Sequence, residues 1–373
     1  MSTPFSRLNP FSAVIKERYP LTKPGSTKET HHVVLDLTNS SMTFKVGDSL
    51  GIFGDNDPVL VERLISAMKA DPHAAVVHPR TQETMTLKIF LTQKAHITRL
   101  TSSFLKVFKN EPSLAQLLTN KIALDHYLAS NDVLDFLLEF GHLAFSLQEL
   151  ITAFSPLLPR FYSVASSLLA HPNEVHLTVA VSTYTHRDEL RYGVASHFLS
   201  HLADVQQTPI PCYVQTTPHF TLPHDDGVPL IMVGPGTGVA PFRGFLQERI
   251  ARNSSGKHWL FFGERHRDYD FFYEEFWNTL VQQEKLSLDL AFSRDQSDKV
   301  YVQHKLYEKG AEIWDWLQQG AHFYVCGEAD PMAKDVESTL HRICQDFGSL
   351  STENTKAYIK QLRSQKRYLA DIY

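Results

Sequence analysis

The chain has 373 residues, 43% of them hydrophobic and 21% charged, with a formal net charge of −5. That length allows two ordinary domains with sizeable cores, and the acidic balance gives no basic footprint for nucleic acid or an anionic membrane. Three scattered cysteines, Cys212, Cys326 and Cys344, form no Cys-x-x-Cys, zinc or iron–sulfur spacing, which suits a reducing, cytoplasmic setting.

The opening MSTPFSRLNPFSAVIKERYP lacks the apolar core of a signal peptide, and no run of about 18 apolar residues predicts a membrane-inserted helix. HHVVLDLT (31–38) and FKVGDSLGIF (44–53) read as strands from their β-branched and aromatic content. Asp57-Pro58 then joins an N-cap to a proline at the first helical position, and VLVERLISAMKA follows with helical spacing. Helical segments such as VLDFLLEF and LQELITAF dominate to about residue 155. Strands return in RFYSVASS (160–167), EVHLTVAVSTY (174–184) and IPCYVQT (210–216). The helix GVASHFLSHLAD (193–204) precedes the last of them. His197 and His201 stand four apart on it, but no third ligand follows, and no metal is expected.

After PHDDG (223–227) the texture becomes alternating. The apolar strands VPLIMVG (228–234), HWLFFGE (258–264), LSLDLAFS (286–293) and HFYVCGE (322–328) are separated by helical stretches, which implies a parallel sheet covered on both faces. DPMAKDVESTLHRICQDFG opens with a second Asp-Pro cap. The expected fold is therefore α+β followed by α/β. An antiparallel β domain spans residues 1–223, with a helical insertion over about 57–155, and a parallel-sheet domain spans 224–373.

Chemistry gathers at a few places. In IMVGPGTGVAPF a buried strand enters a turn containing Gly236 and Thr237 and then a helix, where a phosphate can meet free N–H groups. SRDQSDKVYVQ follows the third parallel strand, at the edge where open α/β sheets bind ligands. There Ser293, Arg294 and Lys299 suit a dianionic phosphate, and Tyr301 can stack on adenine. In RFYS, strand alternation puts Arg160 and Tyr162 on one face and Ser163 on the other.

Taken in chain order, RFYS, TVA (Thr178–Ala180), GVAS (Gly193–Ser196), GPGTGVAPFRGF, SRDQSDKVYVQ, YVCGEADPMAKDV and the terminal RYLADIY resemble the diflavin NADPH reductases. The resemblance is strongest to the flavoprotein subunit of NADPH-dependent sulfite reductase and weaker to cytochrome P450 reductase. It implies a ferredoxin-reductase-like FAD barrel with a helical connecting insertion, followed by an NADP-binding domain. For FAD it implies contacts from Arg160, Phe161, Tyr162, Ser163, Thr178, Val179, Ala180, Tyr184 and Gly193, Val194, Ala195, Ser196, with Tyr373 stacked on the flavin. For NADPH it implies Gly236, Thr237, Ser293, Arg294, Lys299, Val300, Tyr301, Val302, Gln303 and Asp335. Ser163, Cys326, Asp371 and Tyr373 are implied at the site of hydride transfer, with the terminal tyrosine as a gate.

Three departures stand out. No segment resembles the FMN domain of that family, roughly another 150 residues. Electrons are therefore expected to leave to a separate acceptor protein: a flavodoxin, a ferredoxin, or a haem or iron–sulfur subunit like that of sulfite reductase. Glu328 also stands where an aspartate is common, and His31 or its neighbour where an arginine is. The alternatives are a ferredoxin or flavodoxin reductase working towards NADPH, and a flavin-holding assembly subunit without turnover.

Overall fold

Side-chain alternation and β-branched content build the first strands of the computed structural model, which describes residues 5–373. β1 (Phe11–Pro20) buries Ala13 and Ile15, and β2 (Thr30–Asp36) is buried throughout His32–Leu35. The strand expected from Phe44 begins only at β3 (Ser49–Ile52). Residues 45–48 turn instead: the Asp48 carboxylate accepts from the Lys45 amide at 2.8 Å. Gly47 sits at φ +98°, and a Cβ there would meet the Phe220 carbonyl oxygen at 1.9 Å. A small hairpin pairs β4 (Ala75–Val77) with β5 (Thr84–Thr86). β6 (Arg160–Ser163) and β7 (Glu174–Ala180) follow. The strand expected to run to Tyr184 stops at Ala180, and a second hairpin pairs β8 (Thr183–His186) with β9 (Glu189–Tyr192). β10 spans Pro209–Gln215.

The chain divides into two compact units. The first comprises the residues up to Ile52, Phe161–Ser182 and Ala203–Tyr373. Its antiparallel sheet runs in the order β6-β3-β10-β1-β2-β7. The two edges meet again where Val164 bridges Leu177 and the Ala165 amide donates to the His176 carbonyl at 2.8 Å, so the sheet closes into a barrel. The parallel strands are β11 (Leu230–Val233), β12 (His258–Glu264), β13 (Ser287–Phe292), β14 (His322–Gly327) and β15 (Tyr368–Ile372). Their order is β13-β12-β11-β14-β15. Alternate residues feed two cores, Ile231, Val233, Phe323 and Val325 on one face and Met232, Leu260, Tyr324 and Cys326 on the other. The terminal RYLADIY is thus an edge strand, parallel to β14. Antiparallel barrel followed by parallel sheet is the expected architecture.

One expected cap fails. Asp330 caps no helix: its carboxylate pairs with Lys334 at 2.6 Å, and the regular helix starts only at Lys334.

The second unit comprises Phe53–Arg160 and Thr183–Leu202. Its first helix, Pro58–Met68, does start on Asp57, which accepts from the Val59 amide at 2.8 Å. The core is rich in phenylalanine, with Phe104 and Phe136 packed edge to face at 5.7 Å. Asp132 and Asp135 form a reciprocal capping box on the helix Val133–Phe140. The hairpin β8–β9 is tied to that box, with His186 Nε2 at 2.5 Å and Arg187 Nε at 3.2 Å from Asp135.

Candidate functional site

The parallel register sets Cys326 on β14 opposite Asp371 on β15. Ser163, the last residue of β6, donates to Asp371 Oδ2 at 3.3 Å and also hydrogen-bonds to Cys326. Burial foremost, then the charge of Asp371, pushes the Cys326 thiol well above its ordinary value, with Ser163 acting the other way. The thiol is therefore held neutral. Burial also raises Asp371, opposed by the Ser163 hydrogen bond and by the charge of His219. A serine hydroxyl, a neutral thiol and a carboxyl group that resists ionisation thus share the end of one strand pair.

The glycine-rich turn closes on this cluster. A Cβ on Gly238 would lie 2.0 Å from the Cys326 carbonyl oxygen, so the turn reaches β14 only because that residue has no side chain. Gly236 sits at φ +59°. Thr237 Oγ1 is 2.7 Å from the Tyr373 hydroxyl. The Tyr373 ring is 53% exposed while its main chain is fixed, its amide donating to Gly327 at 3.1 Å and its carbonyl accepting from Ala329 at 3.2 Å. Ser163, Cys326, Asp371 and Tyr373, expected at the site of hydride transfer, form one neighbourhood with Thr237, expected at NADPH.

Sequence reasoning missed a charged pair beneath the turn. Glu264, ending β12, is buried; its Oε1 is 2.5 Å from Lys28 Nζ, and its Oε2 accepts from the Arg265 amide at 2.7 Å. A Cβ on Gly236 would lie 3.5 Å from the same carboxylate. The only local signal was an acid at the carboxyl end of a parallel strand. The lysine is 236 residues away.

Beyond β13 the expected phosphate ligands stand in the open. Arg294 and Lys299 are exposed, and neither side chain has a carboxylate partner among the described residues. The Ser293 hydroxyl donates to the Glu264 carbonyl at 3.3 Å. Tyr301 is 42% exposed. Val302 is buried and Val300 half-buried, which anchors the segment. Gln303 donates to Asp335 at 3.2 Å, so those two expected contacts are already joined.

The remaining expected FAD residues are distributed over both units. In the first, Phe161 is exposed and meets Tyr213 edge to face at 6.1 Å, while Tyr162 and Ser163 are half-buried. Thr178 and Val179 are buried and Ala180 is exposed. The Thr178 hydroxyl points inward to Tyr273 at 2.6 Å, and Tyr273 continues to His32 at 2.9 Å and His176 at 3.1 Å further on. Burial, then the field of Arg243, holds His32 down to about 2 and His176 to about 3. Both rings stay neutral. In the second unit Arg160 and Tyr184 are exposed. Gly193 precedes the helical turn Val194–His197, Ser196 donates back to the Gly193 carbonyl at 3.0 Å, and Gly54 allows Ala195 to approach.

These features fit the groups the sequence implies. Cations without carboxylates suit a dianionic phosphate, a glycine cradle suits a pyrophosphate approach, and exposed rings suit a flat heterocycle.

The FAD binding domain family matches residues 3–198, more than half of the chain. The chain belongs to that family. The oxidoreductase NAD-binding domain family matches residues 232–338. The expected cofactor classes, FAD and a nicotinamide dinucleotide, therefore hold, as does the ferredoxin-reductase-like architecture. Among curated relatives, the sulfite reductase [NADPH] flavoprotein alpha-component of Bacillus subtilis (strain 168) is 41% identical over 375 residues. The proteins of that name from Shewanella sp. (strain MR-4) and Vibrio cholerae (serotype O1, El Tor Inaba N16961) are 38% and 40% identical. Each alignment covers 99% of this chain but only 60–62% of the relative, so the chain spans less than two thirds of their length. Among the described residues no helix is long and apolar enough to cross a membrane.

Proposed function

We propose that the chain is an NADPH-dependent FAD oxidoreductase that takes hydride from NADPH and passes electrons to a separate acceptor protein. The observation that carries this reading is the cluster of Ser163, Cys326 and Asp371 beside the Tyr373–Thr237 contact, in a chain with FAD-binding and NAD-binding domains. FAD supplies the exchange between a two-electron hydride and single electrons. Ser163 and Asp371 orient and stabilise charge where the hydride arrives, and neutral Cys326 packs that corner without competing as a nucleophile. Tyr373 would cover the flavin until the nicotinamide displaces it, and would give up its hydrogen bond to Thr237 as it turns.

Arg160 and the Gly193–Ser196 turn would hold the FAD diphosphate, with Tyr162 and Tyr184 against its rings and Thr178–Ala180 offering main-chain contacts. Gly236 and Thr237 would meet the NADPH pyrophosphate. Ser293, Arg294 and Lys299 would hold the 2′-phosphate that distinguishes NADPH from NADH, beside Tyr301, Gln303 and Asp335. The relatives are named as components of a sulfite reductase, which favours a haem or iron–sulfur subunit, reached directly or through a flavodoxin or ferredoxin, as acceptor. Three free, buried thiols accord with a cytoplasmic setting.

The test is to load the purified protein with FAD and add stoichiometric NADPH without oxygen. Rapid bleaching of the flavin spectrum, much slower with NADH, is expected. Bound FAD that ignores both nucleotides would leave the assembly-subunit reading in its place.

A further inference from the structure

We propose that Arg243 is a positioning residue for hydride transfer, setting the reach of Ser163 to Asp371 by fixing the chain just after β6. This deepens the reductase reading and rests on it for its functional half. Arg243 lies on the helix Ala240–Ala251, which continues directly from the turn carrying Gly236, Thr237 and Gly238. One flank of that helix grips residues 165–171. Arg243 Nη1 donates to the Ala165 carbonyl at 2.7 Å. One turn further on, Gln247 Oε1 accepts from the Ser167 amide at 3.1 Å, while its Nε2 donates to His171 Nε2 at 3.0 Å. The Ser167 hydroxyl donates to Glu248. Gly244 lets the two backbones close, because a Cβ there would stand 3.2 Å from the carbonyl oxygens of both Val164 and Ser166.

The helix is thus tied at its start to Cys326, through Gly238, and along its flank to the segment that follows Ser163. Arg243 also reaches a third element. Its guanidinium lies 5.0 Å from the centre of the Tyr273 ring and 5.5 Å from that of Phe276. The same Nη1 is 3.3 Å from His176 Nδ1. An arginine can only donate, so the proton of the neutral His176 ring sits on Nε2 and is donated to Glu174 at 3.1 Å. The His176 carbonyl accepts from Ala165, and its amide donates to the Ser166 hydroxyl at 3.0 Å. Arg243 therefore holds both Ala165 and the strand residue that pairs with it.

Arg243 is buried, and no carboxylate pairs with it among the described residues. Its partners are a carbonyl, an imidazole and two aromatic faces, which fix its direction without neutralising its charge. The contact it serves is sensitive to small shifts. Ser163 meets Asp371 at 3.3 Å, beyond the roughly 2.5–3.0 Å usual for a hydroxyl donor. Displacing Ala165 by a few tenths of an ångström would break it, and misplacement by about 1 Å can cost about a hundredfold in rate.

Two measurements on the FAD-loaded protein test this, in wild type, Arg243→Met, Arg243→Lys and Gln247→Leu. The first is amide hydrogen exchange without nucleotide, which reads the hold on residues 165–171 without turnover. Arg243→Met should speed exchange at Ala165 and Ser167 roughly tenfold while the β12 amides stay protected. Gln247→Leu should do the same at Ser167, which keeps the test decisive if Arg243→Met does not fold. Exchange unchanged at both positions would overturn the proposal, whether or not the protein is a reductase.

The second is the single-turnover rate of flavin bleaching by NADPH. Arg243→Met should lower the maximal rate roughly tenfold, with the NADPH dissociation constant within about twofold of wild type. Gln247→Leu should lower it severalfold, and Arg243→Lys, which keeps one donor for Ala165, should recover part of the loss. In a Ser163→Ala background Arg243→Met should cost little more, because Arg243 acts through Ser163. A maximal rate that stays at wild type while exchange quickens, or full additivity with Ser163→Ala, would overturn the positioning role. Wild type that does not bleach would overturn the reductase reading and the positioning role with it, while the exchange result on the hold would stand.

Discussion

The two ends of the proposed nicotinamide site are built on opposite principles. At the β14–β15 end every group is fixed by packing: Cys326 is buried, Gly238 meets the Cys326 carbonyl with no room for a methyl group, and Ser163 reaches Asp371 from β6. At the β13 end Arg294 and Lys299 stand in solvent without carboxylate partners among the described residues. Hydride transfer requires placement to a fraction of an ångström, which close packing supplies. Choosing between NADPH and NADH requires only charge in reach of a phosphate, which flexible cations supply. The two tasks should therefore separate under mutation.

The largest effect should come from crowding the packed end. Gly238→Ala would force the turn away from β14 at a cost of about 3 kcal/mol, lowering the melting temperature by several degrees. A variant that melts with wild type would show that the turn is not in close contact with β14. Next, Arg294→Ala and Lys299→Ala should each weaken NADPH binding roughly tenfold, leaving NADH kinetics and the maximal reduction rate intact. Raising the salt concentration should weaken NADPH binding in the same sense. An undiminished NADPH preference in steady-state kinetics would contradict the 2′-phosphate assignment.

Between the two ends sits the terminal ring. Deleting Tyr373 should raise the NADH reduction rate severalfold, because a weak binder no longer has to displace a stacked aromatic. An unchanged NADH rate would remove the gate. Thr237→Val should act in the same direction but more weakly, since it removes a single hydrogen bond worth about 1 kcal/mol from the closed position.

Much of this was legible in the sequence where the pattern was local. HWLFFGE matches β12 residue for residue, and Asp57-Pro58 marks a helix start that forms as expected. β1 was not legible, because a register shift between Ile15 and Glu17 breaks the alternation that identifies a strand. The terminal RYLADIY is a strand only because β14 offers a parallel partner. Asp330 fails as a cap for a related reason: capping depends on where the helix begins, and it begins at Lys334. In the site, the resemblance to the diflavin NADPH reductases brought Ser163, Cys326 and Asp371 into view, but the Lys28–Glu264 pair depends on a contact distant in sequence.

The Asp371–Ser163 pair is the proposed place where hydride arrives. The measurement is the single-turnover rate of flavin bleaching by NADPH, without oxygen, in FAD-loaded wild type and Asp371→Asn, across NADPH concentrations. The prediction is a maximal rate that falls roughly ten- to hundredfold with little change in the NADPH dissociation constant. An unchanged maximal rate would mean that hydride is transferred without Asp371, and the proposed site would be wrong.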